Sequence, residues 1–260
     1  MSVEQTILTG QMQEPKSSVG AYTLPCGHYD PETQELTRDV EIREMTGNEE
    51  DMLASNQVPP HKKITALLAG CVTRLGTVTD KGKLHAMVEQ LPQGDRMYLL
   101  FAVRRTTLGD ELPVREACPE CGEKSLFVLD LSDLETKEMP DPKKRVYDVS
   151  LPSGVAARFR VSTGTHETAQ AKIMKRERAD ALSQALLLRL ELLNGEAPNI
   201  LAVKNLSLRD RLALRDEFES VEGGVDTALD FECPSCGHEW EEDVDIGNRN
   251  FFFPSEKRKA

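Results

Sequence analysis

The sequence predicts an α+β protein: mixed helices and short antiparallel hairpins, with a split zinc ribbon joining the middle of the chain to its C-terminal part. Three observations predict it. Cys118-Pro119-Glu120-Cys121-Gly122 and Cys233-Pro234-Ser235-Cys236-Gly237 are nearly one word written 115 residues apart. Short strand-like runs flank both words. Between helix-start and helix-stop signals lie apolar stripes at helical spacing, the clearest being Ile64, Leu67, Leu68, Cys71, Val72 and Leu75.

Two thiolates separated by two residues on a tight turn can occupy two corners of a zinc tetrahedron, and two such turns complete it. Proline after the first cysteine stiffens each turn, and glycine after the second permits a positive φ. The candidate ligands are therefore Cys118, Cys121, Cys233 and Cys236, and the cofactor is a structural Zn2+, because a closed four-thiolate sphere leaves no position for water. The competing readings are two disulfides or a redox CxxC pair. Redox pairs usually open a helix, whereas both turns here lie between strand-like runs. His238 could replace a cysteine, but four thiolates already fill the sphere, which leaves it solvated or hydrogen-bonded beside the site.

In order along the chain, residues 1–20 are polar and aperiodic and read as a flexible N-terminal arm. Residues 21–110 read as a mainly helical lobe opened by a β-hairpin over 21–45. Thr46 and Glu49 have capping-box spacing and start a helix over 47–54. After Pro59-Pro60 the strongest stripe predicts a helix over 62–75, and Gly94-Asp95 introduces another over 96–106, apolar on most faces. Strands over 113–116 and 125–131 flank the first cysteine word. The split ribbon takes residues 111–135 with 226–250. The proline-rich stretch 139–144 is a boundary, and residues 140–225 form a hairpin plus helical insert. That insert holds strands over 145–151 and 155–161 around Pro152-Ser153-Gly154. A long helix over 166–193, capped by Thr165, follows. A further helix over 208–220 starts from the Ser207/Asp210 capping pattern and stops at Gly223-Gly224. Strands over 228–232 and 238–246 flank the second word, with Trp240 over the metal-bearing hairpin. Residues 251–260 are an aromatic and basic tail.

Apolar residues make up 39% and aromatics 5% of 260 residues, a lean core that a metal or a neighbour would supplement. A net charge of -12 argues against broad phosphate binding, and no nucleic acid partner is expected. No secretory signal and no apolar run long enough for a membrane span is visible, so the chain is expected to be made in a reducing cytoplasm. Cys71 lies on the apolar stripe as a small hydrophobe. Cys26, before Gly27 and His28, is a weak candidate metal ligand or nucleophile. The histidines and carboxylates form no catalytic spacing, and no GxSxG, P-loop or HExxH is present. The expectation is that the chain is not an enzyme and has no small-molecule substrate.

Five patches together resemble the baseplate hub and hub-assembly proteins of T4-type contractile-tailed phages, with relatives in contractile injection systems. They are Tyr22-Thr23-Leu24-Pro25 with Gly27 and Tyr29; Val40 to Gly47 followed by Glu49-Glu50-Asp51; Asp95-Arg96 leading through Leu99-Leu100 to Arg104 and Leu108-Gly109; the Cys-Pro-Xaa-Cys-Gly word; and Phe251-Phe252-Phe253-Pro254. The resemblance is most specific over residues 22–131. It implies a structural subunit of a virion baseplate or injection-system particle whose partners are other baseplate and tail proteins. Many relatives are shorter or lack one cysteine word, so the zinc inference rests on local spacing. Phe251, Phe252, Phe253 and Pro254 are an apolar plug that docks either on this chain's own core or in a partner's groove. Two alternatives stay open: a transient assembly chaperone absent from the finished particle, and a zinc-ribbon nucleic-acid binder. The acidic run Glu239-Trp240-Glu241-Glu242-Asp243 disfavours the second.

Overall fold

Backbone hydrogen bonding and capping chemistry divide the chain into short elements. The computed structural model describes residues 19–174, 179–244 and 251–253. The hairpin β1 (Val19–Asp30) and β2 (Glu35–Arg43) leads into α1 (Gly47–Ala54) and α2 (Pro60–Cys71). Strand β3 (Val72–Leu75) then pairs antiparallel with β2, and α3 (Lys81–Gln90) and α4 (Gln93–Leu108) follow. A hairpin of β4 (Glu111–Ala117) and β5 (Lys124–Asp130) carries the first cysteine word. After β6 (Thr136–Lys137), the hairpin β7 (Val146–Ser150) and β8 (Ala156–Arg160) precedes α5 (Gly164–Met174), α6 (Ala181–Arg189) and β9 (Leu190–Leu193). Then come α7 (Ile200–Asn205), α8 (Leu208–Ser220), β10 (Gly224–Val225), and the hairpin β11 (Ala228–Glu232) and β12 (Glu239–Asp243) with the second word. These elements make the fold α+β, as the sequence predicts.

Several boundaries differ from the sequence expectation. The helix expected over 62–75 ends at Cys71, and Val72 to Leu75 become β3. The stripe stays apolar because both segments face one core, in which Leu67, Leu68, Cys71, Val72 and Leu75 are all buried. The β-branched Val72 and Thr73 suit the open edge of β2 better than another helical turn. The expected helix over 166–193 is likewise broken into α5, α6 and β9, with Leu190 paired to Phe159. Its start is Gly164, behind Thr163, so Thr165 lies inside the first turn and does not cap. Helices α3 and α7, capped by Asp80 and Asn199, are not evident from periodicity because each buries only one or two residues.

The segment read as an insert repeats the fold that precedes it. Sheet order β1-β2-β3 returns as β7-β8-β9, and the irregularity between Glu41 and Ile42 returns between Arg158 and Phe159. Leu24-Pro25-Cys26-Gly27 corresponds to Leu151-Pro152-Ser153-Gly154, with left-handed glycines at φ +84° and +87°. Thr46-Gly47 corresponds to Thr163-Gly164. Glu49 accepts from the Thr46 amide at 2.9 Å, and His166 Nδ1 accepts from the Thr163 amide at 3.1 Å in the matching place. Leu91 and Asp95-Arg96 correspond to Leu206 and Asp210-Arg211, the same 115-residue offset as the cysteines.

Buried polar anchors repeat too. Asp95 accepts from the amides of Cys26 and Gly27 at 2.7 Å each, and Asp210 accepts from the amide of Ser153 at 3.0 Å. Arg96 donates to Val88 O and Thr65 Oγ1, while Arg211 donates to Val203 O and Ser183 Oγ, the corresponding acceptors. Each repeat has its own core, the first around Leu68, Leu99 and Val103, the second around Phe159, Leu186 and Leu214.

Candidate metal centre

Each cysteine word closes a turn between two antiparallel strands, and the two turns have the same backbone bonds. The Cys118 amide donates to Glu123 O and the Gly122 amide to Cys118 O, both at 2.9 Å; the Cys233 amide to His238 O and the Gly237 amide to Cys233 O repeat these distances. Gly122 and Gly237 have φ of +72° and +71°, which a side chain would resist. The turns meet: Cys118 Sγ lies 3.7 Å from Cys236 Sγ and Cys121 Sγ lies 3.6 Å from Cys233 Sγ, with all four sulfurs within 4.8 Å of one another.

Those separations bear on the sequence alternatives. A disulfide needs about 2.05 Å, and all four thiols are free. Four sulfurs at about 2.3 Å from a central zinc would stand about 3.8 Å apart. The set therefore fits a tetrahedral divalent metal. Cys118 and Cys233 are buried, and Cys121 and Cys236 are exposed, so one side of the site is covered and the other faces water. The amide of Cys236, then that of Ser235, pulls the Cys233 thiol down to about 7. The amides of Glu123 and His238 favour the thiolates of Cys121 and Cys236. Desolvation and hydrogen bonding among the sulfurs nevertheless leave both thiols raised, Cys236 to about 12. Four sulfurs so close cannot all ionise without a cation to share the charge.

Aromatic packing holds the two hairpins together beneath the cysteines. Phe127 of β5 meets Phe231 of β11 edge-on at 5.0 Å and Trp240 of β12 at 5.9 Å, while Phe231 and Trp240 stack at 5.4 Å. The His238 ring stacks on Trp240 at 6.3 Å, beside the site and outside the sulfur set. Below this layer, Phe101 of α4, Leu112, Leu131, Val244 and Phe251 form one cluster. Phe251 is 1% exposed and packs edge-on against Phe101 at 5.3 Å. Of the two docking modes open for the plug, Phe251 therefore takes this chain's own core; Phe252 and Phe253 are half-buried, and Pro254 lies outside the described residues.

The other sequence candidates are structural. Cys26 is buried where the repeats meet, beside Met139 and Val161; burial, then nearby Asp95, pushes its thiol up, which disfavours the thiolate that a nucleophile or metal ligand needs. Burial raises Cys71 to about 12. Sequence reasoning missed Asp95 and Arg96 as functional anchors. Arg96, 1% exposed, reaches from the first repeat to Glu167 of α5 at 2.8 Å, and the Gln93 amide donates to Ser162 O at 2.9 Å. The signal was present: Asp-Arg recurs at the offset of the cysteines.

A protein-family model described as T4 bacteriophage base plate protein matches residues 28–188, more than half of the chain. The chain belongs to this family. Neither the curated proteins nor the solved structures gave a match. The family match takes in Cys118 and Cys121, Asp95-Arg96 and α5, and it stops within α6, before Cys233 and Cys236. Membership gives the chain a structural role in a phage baseplate, as a virion component whose partners are other tail and baseplate proteins. Among the described residues no helix is long and apolar enough to cross a membrane.

Proposed function

We propose that this baseplate protein is a zinc-stabilised, non-enzymatic structural subunit of the hub region. In this reading a split zinc ribbon locks the two repeats, and the terminal segments, apart from Phe251 in the chain's own core, dock neighbouring tail proteins. The observation that carries the reading is the convergence of four cysteines on hairpins from two separate repeats, 3.6–3.7 Å apart in pairs, in a member of the baseplate family. Cys118, Cys121, Cys233 and Cys236 would hold the ion, which would supply rigidity by joining distant segments and, with no ligand position left over, no Lewis-acid site for substrate. The hub assignment is supported by the five patches of hub-type sequence described above.

Mass spectrometry of purified, complete particles tests the role. A permanent subunit is present at a fixed ratio to the other baseplate proteins; absence from complete particles but presence in assembly intermediates would make the chain a transient chaperone instead.

A further inference from the structure

The joint between the repeats shows what one face of this fold binds. In the first repeat, α2, α3 and the start of α4 pack on α5 of the second. Arg96 lies at the centre of that joint, paired with Glu167. The approach is so close that a Cβ on Gly164 would come within 2.6 Å of the guanidinium.

Both halves of this joint occur a second time with no counterpart against them among the described residues. The receiving half recurs as α6, α7 and the start of α8. Its half-buried Arg211, counterpart of Arg96, binds Ser183 and Val203 on its own side and has no carboxylate partner among the described residues. One turn earlier, Leu208 is 69% exposed. The inserted half recurs as α1: Gly47 corresponds to Gly164 and Glu50 to Glu167. Glu50 is exposed, without an ion-pair partner among the described residues, and a Cβ on Gly47 would meet nothing within 4 Å. Charges match as well, with Glu50 and Asp51 exposed on α1 and Arg209 exposed beside Arg211, while Lys204 pairs with Asp180 on its own side at 3.7 Å.

We infer that the chain self-associates head to tail, the α6–α7–α8 face of one copy receiving α1 of the next, with Arg211 against Glu50. The second junction is not an exact copy of the first. Arg209 stands where Gly94 admits the Gly223 carbonyl, so the two copies stand further apart at that end. Because the contact joins unlike faces, it builds a ring or an open chain of copies.

Sedimentation velocity of the full chain tests this. Wild type is expected to form assemblies larger than a dimer. Glu50→Arg and Gly47→Gln alter only the exposed α1 side. Leu208→Glu alters the receiving side and places a carboxylate at a helix start, where it is tolerated. Each variant should sediment as a monomer with its circular dichroism spectrum unchanged. Mixing Gly47→Gln with Leu208→Glu leaves one sound junction per pair, so the mixture should form dimers and stop. A wild type that stays monomeric at its solubility limit, variants that assemble like wild type, or a mixture that stays monomeric would each overturn the inference.

Discussion

Asp95 and Asp210 occupy the same place in the two repeats, yet their environments push them in opposite directions. Burial raises Asp95 to about 6 although the amides of Cys26 and Gly27 favour its charged form. The Ser207 hydroxyl lowers Asp210 below its ordinary value of 3.8. The difference follows from position, because Asp95 lies under the joint between repeats and Asp210, among the described residues, under none. Between about pH 4 and pH 6 the folded chain keeps the Asp95 proton that the unfolded chain has released. This residue's contribution to stability therefore falls as pH rises through that window, by on the order of 3 kcal/mol in all. Denaturant unfolding of Asp95→Asn at pH 4 to 6.5 should show that decline removed relative to wild type; parallel curves for the two proteins would contradict the assignment. Asp210, with a lowered pKa, contributes stability that is lost as pH falls below 3.8. At this scale the sequence made the cysteines legible, because their chemistry is written in four adjacent letters. The aspartates were legible only as a helix entry and a cap; their buried anchoring was not, because the partners are backbone amides 68 and 69 positions away for Asp95 and 57 for Asp210.

Among elements, the joint between repeats makes the sharpest comparison. A Cβ on Gly94 would lie 1.8 Å from Gly223 O, backbone against backbone, so Gly94→Ala must push α4 away from the segment before β10. Gly47→Ala, in open space at a helix start, should be neutral or stabilise by a few tenths of a kcal/mol. Thermal melts of the two variants should separate by several degrees, and equal melts would show that the joint yields freely. Arg96→Ala strands Glu167 and frees the Val88 carbonyl, costing about 3 kcal/mol or more. Arg211→Ala removes two hydrogen bonds and no ion pair, and should cost less; the reverse order in denaturant unfolding would contradict the roles given to the two arginines.

Capping signals located α1 and α8, and turn chemistry located the hairpins, because those interactions are made within a few residues. The stripe at 62–75 and the leucines at 190–193 misled for one reason. A β-strand that follows a helix onto the same core keeps the apolar composition, and only pairing with β2 or β8 fixes where the backbone extends. The repeat itself was hidden because its elements are conserved in contacts more than in letters: Thr65 answers to Ser183 and Glu49 to His166.

Across the whole molecule, each repeat ends in a hairpin, and the second hairpin packs on the first through Phe127, Phe231 and Trp240. That arrangement leaves the four sulfurs as the closure between the end of the second repeat and the middle of the chain. A cation bound there stabilises only the folded state, by about 4 kcal/mol when its free concentration is a thousand times its dissociation constant. Zinc removal should therefore lower the melting temperature and expose β11 and β12 to hydrogen exchange before either repeat core. Equal protection with and without metal would contradict a clamp at this position.

Zinc stoichiometry, measured by elemental analysis of the purified chain beside Cys118→Ser and Cys233→Ser, tests the central claim most directly. A single site shared by two repeats predicts one zinc per chain in the wild type and loss of that zinc in either variant, whichever hairpin is altered. Zinc retained in full by either variant, or two ions per chain with one lost in each, would contradict it.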